Sequence, residues 1–260
     1  MNDIPFFQVD AFADRPFAGN PAAVMPLERW LDDAVLQAIA AENNLSETAF
    51  VVPGEAMGAD FHLRWFTPTT EVDLCGHATL AAAHILLDGP EISFQTRSGQ
   101  LRVQRRDGLY WLDLPAFGVD PGEEPGLMGG LGLDAAPTFL GRGGNGAAIV
   151  LLEDAAAVAA VSPDFHRLRT IDRLVMVTAP GGETDVVSRV FAAYHGIDED
   201  PVTGSAHAAL VPFWAKRLGR TRFSAFQASK RGGRLECELR GDRVLLGGHA
   251  VTTVEGRFRL

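Results

Sequence analysis

Residues 66–87 read FTPTTEVDLCGHATLAAAHILL, and this stretch decides the fold. Its first half is polar and turn-prone through Thr67-Pro68-Thr69-Thr70, whereas its second half is a run of Ala and Leu with high helix propensity. The change at Gly76-His77 therefore predicts a helix N-terminus. Ala78, Leu80, Ala81, Ala82, Ala83, Ile85 and Leu86 put apolar atoms on nearly every face, the pattern of a helix wrapped by other structure on all sides. Such a helix keeps its first backbone N–H groups away from bulk water and unpaired unless an anionic or polar group meets them.

The rest of the chain has the means to build the wrapping. At 260 residues it can form one large or two modest domains, and its 47% hydrophobic and 22% charged residues are ordinary for a globular protein. No apolar run approaches the ~18 residues of a membrane span. The opening MNDIPFFQVDAF lacks a basic segment before an apolar one, and Cys75 and Cys237 show no paired spacing, so the expectation is a cytoplasmic protein in a reducing compartment. With 23 basic against 33 acidic residues the net charge is −10, which disfavours nucleic acid. Lys230, Arg231 and Arg234 gather only in a Gly-rich turn, so small molecules are the expected partners.

Read in order, the chain gives a strand through QVDAF, a turn around Gly19-Asn20 and an extended Ala22–Met25. A helix follows, opened by Asp32-Asp33 and closed by Asn43-Asn44, and then strands over Thr48–Val52 and Phe61–Trp65. After the central helix, Ile92–Thr96, Leu101–Arg105 and Tyr110–Leu114 read as strands. Much of this recurs about 125 residues later. Gly19-Asn20-Pro21-Ala22-Ala23-Val24 is echoed by Gly144-Asn145-Gly146-Ala147-Ala148-Ile149, and Gly76-His77-Ala78-Thr79 by Gly204-Ser205-Ala206-His207. A repeat this long predicts an α+β protein of two pseudo-symmetric lobes, each a barrel-like, mostly antiparallel sheet around one central helix. The expected division is residues 1–114 and 115–260, through the Pro- and Gly-rich stretch Pro115–Pro125, with a last strand near 248–260 crossing back to the first lobe. The expected site is a cleft faced by both helix N-termini, suited to a small carboxylate.

Glu47 stands at a strand start, where a solvated acid would be ordinary, but the second copy carries Arg173 or its neighbour there, so folding does not demand an acid. A carboxylate in an apolar cleft would have its neutral form favoured and suit proton exchange near neutral pH. Asp200 precedes the second helix in Asp200-Pro201-Val202-Thr203-Gly204-Ser205, which is also common turn chemistry. His77, at a helix N-terminus, is expected to stay neutral and to serve as a hydrogen-bond partner or proton relay. Three sharper patterns fail. His77 and His84 lie about 10 Å apart along a helix, too far to share a metal. Ser205 and His207 point to nearly opposite helix sides without a nucleophile elbow. Gly141–Gly146 fits a dinucleotide fingerprint by letters but leads into an extended segment.

Four pieces, VDAFADRPFAGNPAAV, NLSETAF, LRWFTPTTEVDLCGHATLAAAH and DPVTGSAHAALVPFWA, together resemble the PhzF family of phenazine-biosynthesis-like proteins. The resemblance implies the diaminopimelate-epimerase-like fold, a homodimer, and isomerisation similar to that of dihydro-hydroxyanthranilate without cofactor or metal. By motif Glu47 resembles the acid/base, His77, Asp200 and Ser205 its assistants, and Asn20, Cys75, Gly76, Ala78, Thr203 and Gly204 the substrate-facing positions. Epimerases of this fold use two opposed cysteines. Here Cys75 stands at the first place and Thr203 at the second, so a symmetric two-thiol racemase is not expected. The expected activity is proton transfer on a small cyclic or amino-acid-like carboxylate. The alternatives are an amino-acid epimerase using Glu47 and Cys75, or a small-ligand binding protein.

Overall fold

A computed structural model of the protein describes residues 3–54, 58–142 and 146–260. The chain forms two compact units, Met1–Asp113 with Leu246–Leu260, and Leu114–Leu245. From the N-terminus, the elements are β1 (Asp3–Ala11), β2 (Asn20–Pro26), α1 (Asp33–Asn43), β3 (Glu47–Pro53), β4 (Phe61–Phe66), β5 (Glu71–Val72), α2 (Gly76–Leu86), β6 (Glu91–Thr96), β7 (Gly99–Arg106) and β8 (Leu109–Pro115). They continue with β9 (Val119–Pro121), α3 (Leu127–Leu131), β10 (Thr138–Gly141), β11 (Ala147–Leu151), α4 (Ala155–Ala160), α5 (Phe165–Leu168), β12 (Leu174–Pro180), β13 (Val186–Ala192) and β14 (Ile197–Asp200). The chain closes with α6 (Gly204–Leu218), β15 (Arg222–Gln227), β16 (Gly233–Arg240), β17 (Arg243–Gly248) and β18 (Ala250–Arg259).

The internal repeat reappears as strand register. In the first unit β2 runs parallel to β3 with Ala22 opposite Glu47, and in the second β11 runs parallel to β12 with Ala147 opposite Leu174. β3 and β4 are antiparallel, as are β12 and β13, while β4 and β6 are parallel, as are β13 and β15. The counterpart of Glu47 is thus Leu174, the neighbour of Arg173, one of the two positions expected. Arg173 lies one residue before the strand and binds Glu124 at 2.7 Å. The frame accepts an acid or an aliphatic side chain at this place, so it does not require the carboxylate of Glu47. Within Pro115–Pro125, read as a loop from its Pro and Gly, Val119–Pro121 forms β9 and pairs with β10. In the first unit the corresponding edge of β1 is covered by the final strand, β18. The Gly144-Asn145 echo lies outside the described residues.

α2 packs on β1, β2, β3 and β18, and Gly76 through Ala83 are all buried, whereas His84, Ile85 and Leu86 at its C-terminal end are only partly so. In α6, Pro212 lacks the N–H that would bond the carbonyl of Ala208, and interior prolines ordinarily break a helix for this reason. Here the Phe117 backbone N–H donates to Ala208 O instead, at 2.9 Å, so the freed acceptor is satisfied. Among the described residues, no helix is long and apolar enough to cross a membrane. Because Leu80 has no exposed surface, Leu80→Ala is expected to destabilise the protein by about 2–5 kcal/mol, read as a lower denaturation midpoint in urea. A change below about 0.5 kcal/mol would show that α2 is not the centre of its unit's core.

Candidate active site

The site in the first unit is assembled by three local devices. Asn44 adopts a left-handed conformation (φ 49°) at the end of α1, its N–H bonding Ala40 O, and this sharp stop delivers Glu47 to the first position of β3. Gly19 (φ 63°) delivers Asn20 to the start of β2, where a Cβ on Gly19 would lie 2.1 Å from Ala11 O. The guanidinium of Arg64 holds both carboxylate oxygens of Glu71 at 2.7 Å, fixing the turn that leads to Cys75.

These devices bring Asn20, Glu47, Cys75 and His77 together, all buried. His77 Nε2 lies 3.1 Å from Glu47 Oε2, and its Nδ1 lies 3.2 Å from Asn20 Nδ2 and 3.5 Å from Cys75 Sγ. The Nε2–Oε2 approach is close but misaligned, so both atoms are buried without a hydrogen bond among the described residues. As placed, the Asn20 amide donates to a bare Nδ1, which puts the proton of a neutral ring on Nε2, facing Glu47. Turned over, the same amide accepts from Nδ1–H, so Asn20 can serve both charge states of the ring.

Burial alone would push His77 down, but the negative charge of its neighbours Cys75 and Glu47 outweighs it and holds the imidazole well above its ordinary range. Burial, and then the Glu47 carboxylate, push the Cys75 thiol up. The expectation of a neutral His77 is therefore corrected: Cys75 and the Glu47 carboxylate beside the ring outweigh burial. One donor atom each from Glu47, Cys75 and His77 lie within 4.8 Å of one another, a set with the chemistry to hold a metal ion. His84 is committed elsewhere, to Tyr110 and Thr252 at 3.1 and 3.0 Å.

The second unit repeats the helix start with other side chains. Cys75 and Thr203 are the extended N-cap residues of α2 and α6, and neither side chain caps its helix. Each N-cap carbonyl accepts a bond from the side chain four residues on, from Thr79 Oγ1 at 2.6 Å and from His207 Nδ1 at 2.8 Å. Asp200 is buried and accepts a short hydrogen bond from Thr203 Oγ1. Gly76, Ala78 and Gly204 are buried in the first turns of their helices. Ser205 is half-buried, with no hydrogen bond to its hydroxyl among the described residues. Gln227, which no motif marked, is fully buried against Asp200 and Thr203. In the dinucleotide-like letters, residues 143–145 lie outside the described residues, and strand β11 follows them.

These elements define a two-unit α+β protein with an acid, a thiol and an imidazole at the start of a buried helix. A probable proline racemase from Agrobacterium radiobacter shares this fold, with a TM-score of 0.65, 13% identity and coverage of 99% of this chain and 93% of that one. The chain matches the phenazine biosynthesis-like protein family over residues 9–256 and belongs to it. A PhzF-family protein from Enterococcus faecalis, known from its crystal structure, is 44% identical, with a TM-score of 0.92 over 100% of both chains. An uncharacterized isomerase of Pseudomonas aeruginosa is 50% identical over 99% of this chain and 100% of its own, and a human phenazine biosynthesis-like domain-containing protein is 38% identical over 97% and 98%.

His207 gives a test of this geometry through pH. Its Nδ1–H donates to Thr203 O, its Nε2 is buried without a hydrogen bond among the described residues, and burial pushes its pKa down from 6.5 to about 4. The unfolded chain therefore takes up this proton first, and the stability present above pH 6.5 is lost as pH falls toward 4. Urea unfolding is expected to show wild type losing about 3 kcal/mol more than His207→Gln across that window. Parallel losses would mean that His207 protonates in the folded state at its ordinary pKa.

Proposed function

We propose that the protein is an isomerase that moves a proton on a small cyclic or amino-acid-like carboxylate, with Glu47 as the acid/base. The observation that carries this reading is the buried contact of Glu47 Oε2 and His77 Nε2, adjacent polar atoms that satisfy no hydrogen bond with each other. Buried polar atoms are normally hydrogen-bonded, and two that face each other at 3.1 Å without that bond suit a polar ligand that completes them. The isomerase name of a relative 50% identical along nearly the whole chain supports the same reaction class.

In the proposed reaction the Glu47 carboxylate removes a proton from carbon next to an activating group of the substrate and returns it at another position. The His77 imidazolium offsets the charge that moves off Glu47 and onto the substrate. Proton transfer asks for no oxidant and no bound cofactor. The N-terminal N–H groups of α2 would hold the substrate carboxylate, where the helix favours an anion by about 0.3–2 kcal/mol. In the second unit we assign Asp200 and the Ser205 hydroxyl assisting roles in charge and hydrogen bonding. A second reading, epimerisation by Glu47 and Cys75, is favoured by the thiol standing 3.5 Å from His77 Nδ1.

The test is deuterium incorporation by NMR in D₂O, with dihydro-hydroxyanthranilate and a panel of amino and cyclic acids. Wild type is expected to exchange or isomerise a member of the panel, and Glu47→Gln to lose at least about 10²-fold. Activity retained in Glu47→Gln would remove Glu47 from the reaction. Loss in Cys75→Ser with sensitivity to thiol alkylation would favour the epimerase, and binding without exchange a ligand-binding protein. Dialysis against EDTA is expected to leave the rate unchanged. A rate lost on dialysis and restored by a divalent ion would instead make Glu47, Cys75 and His77 a working metal site.

A further inference from the structure

Thr203 occupies an N-cap position, where a threonine hydroxyl ordinarily accepts from an N–H of the first helical turn. It makes no such bond. Its hydroxyl turns away from the helix, toward Asp200 Oδ2. Beside it stands Gln227, the last residue of β15, which has no exposed surface. Gln227 Oε1 accepts from the Thr203 backbone N–H at 2.9 Å, and its Nε2 donates to the Asp200 carbonyl at 2.7 Å and to Thr203 Oγ1 at 3.2 Å. The amide has one workable orientation, because an N–H must meet Oε1 and a carbonyl must meet Nε2. Thr203 Oγ1 therefore receives a proton-donor bond from Gln227, and its own single hydrogen is left for Asp200.

We propose that Gln227 is a positioning residue that, through Thr203, fixes the side chain of Asp200 as a hydrogen-bond acceptor and so keeps it an anion. The inference rests on the assisting role proposed for Asp200 and makes that role specific. Asp200 serves as a fixed negative charge or proton acceptor and not as the acid that delivers a proton. A clamp with a purely structural purpose would need only the two bonds to backbone atoms. The third bond, to the Thr203 hydroxyl, and the helix cap forgone by Thr203 both act on the Asp200 carboxylate.

The experiment follows the carboxyl carbon of Asp200 by ¹³C NMR in protein labelled at aspartate side chains, with the resonance assigned by its loss in Asp200→Asn. A hydrogen bond to the charged form favours that form, so Thr203→Val is expected to raise the midpoint of the Asp200 titration by about one pH unit. Thr203→Ser, which keeps the hydroxyl, should restore the wild-type midpoint. Gln227→Glu, which puts an acceptor where Nε2 donates, should move it in the same direction as Thr203→Val. Gln227→Met carries this arm if that variant fails to fold. Asp198 and Glu199, on the same strand, pair with Arg169 and Arg189 at 2.7 and 2.8 Å, and His207 is bonded to the Thr203 carbonyl, so these groups are a common background to all variants.

An unmoved Asp200 in Thr203→Val overturns the proposal. A shift in Thr203→Val that is absent from both folded Gln227 variants overturns the role of Gln227. No substrate is needed, so the two readings fail separately. The expected shifts in a protein that exchanges no deuterium would leave Gln227 as assigned and remove the isomerase, whereas unmoved shifts in an active enzyme would do the reverse.

Discussion

The contact of 3.1 Å between His77 Nε2 and Glu47 Oε2 is the constraint on which the first unit's site depends. Two ionisable groups held apart from water are costly unless they neutralise each other, and neither makes a hydrogen bond to the other as placed. The surroundings must therefore hold the pair in position. α2 does so by burying every residue of its first two turns, β2 and β3 by their parallel register, and Asn44 and Gly19 by turning the chain sharply just before the residues that matter. Asn20, tied to His77 on one side and to Ser46 on the other, completes the support without fixing the ring in one charge state.

The internal repeat separates what the fold needs from what the chemistry needs. Both central helices begin with an extended, uncapping residue whose carbonyl is bonded by the side chain four positions later, Thr79 in one copy and His207 in the other. That shared device is architecture. The two copies differ at the candidate residues: Glu47 against Leu174, His77 against Ser205, Cys75 against Thr203. A frame that tolerates leucine at the position of Glu47 leaves the carboxylate to be explained by function.

Much of this was legible in the sequence. The Ala- and Leu-rich run after Gly76 marked the buried helix, Asp32-Asp33 and Asn43-Asn44 marked both ends of α1, and the echo of Gly76-His77 in Gly204-Ser205 marked the repeat. What was not legible depends on contacts distant in sequence. The charge state of His77 depends on its near neighbour Cys75 and also on Glu47, thirty positions earlier, which no local pattern announces. The register that pairs Ala147 with Leu174 decides between Arg173 and its neighbour, a choice that letter alignment leaves open. Gln227 carries no motif because its partners, Asp200 at the end of β14 and Thr203 before α6, lie on other elements.

The most direct measurement is the ¹⁵N NMR titration of the His77 ring in wild-type protein, with the signals assigned by their loss in His77→Asn. If the Glu47 carboxylate holds the imidazolium against burial, both ring nitrogens carry protons at pH 7 and the ring titrates above 6.5. A ring that is neutral at pH 7, with one bare nitrogen and a midpoint at or below 6.5, would contradict the charged pair on which the proposed proton transfer rests.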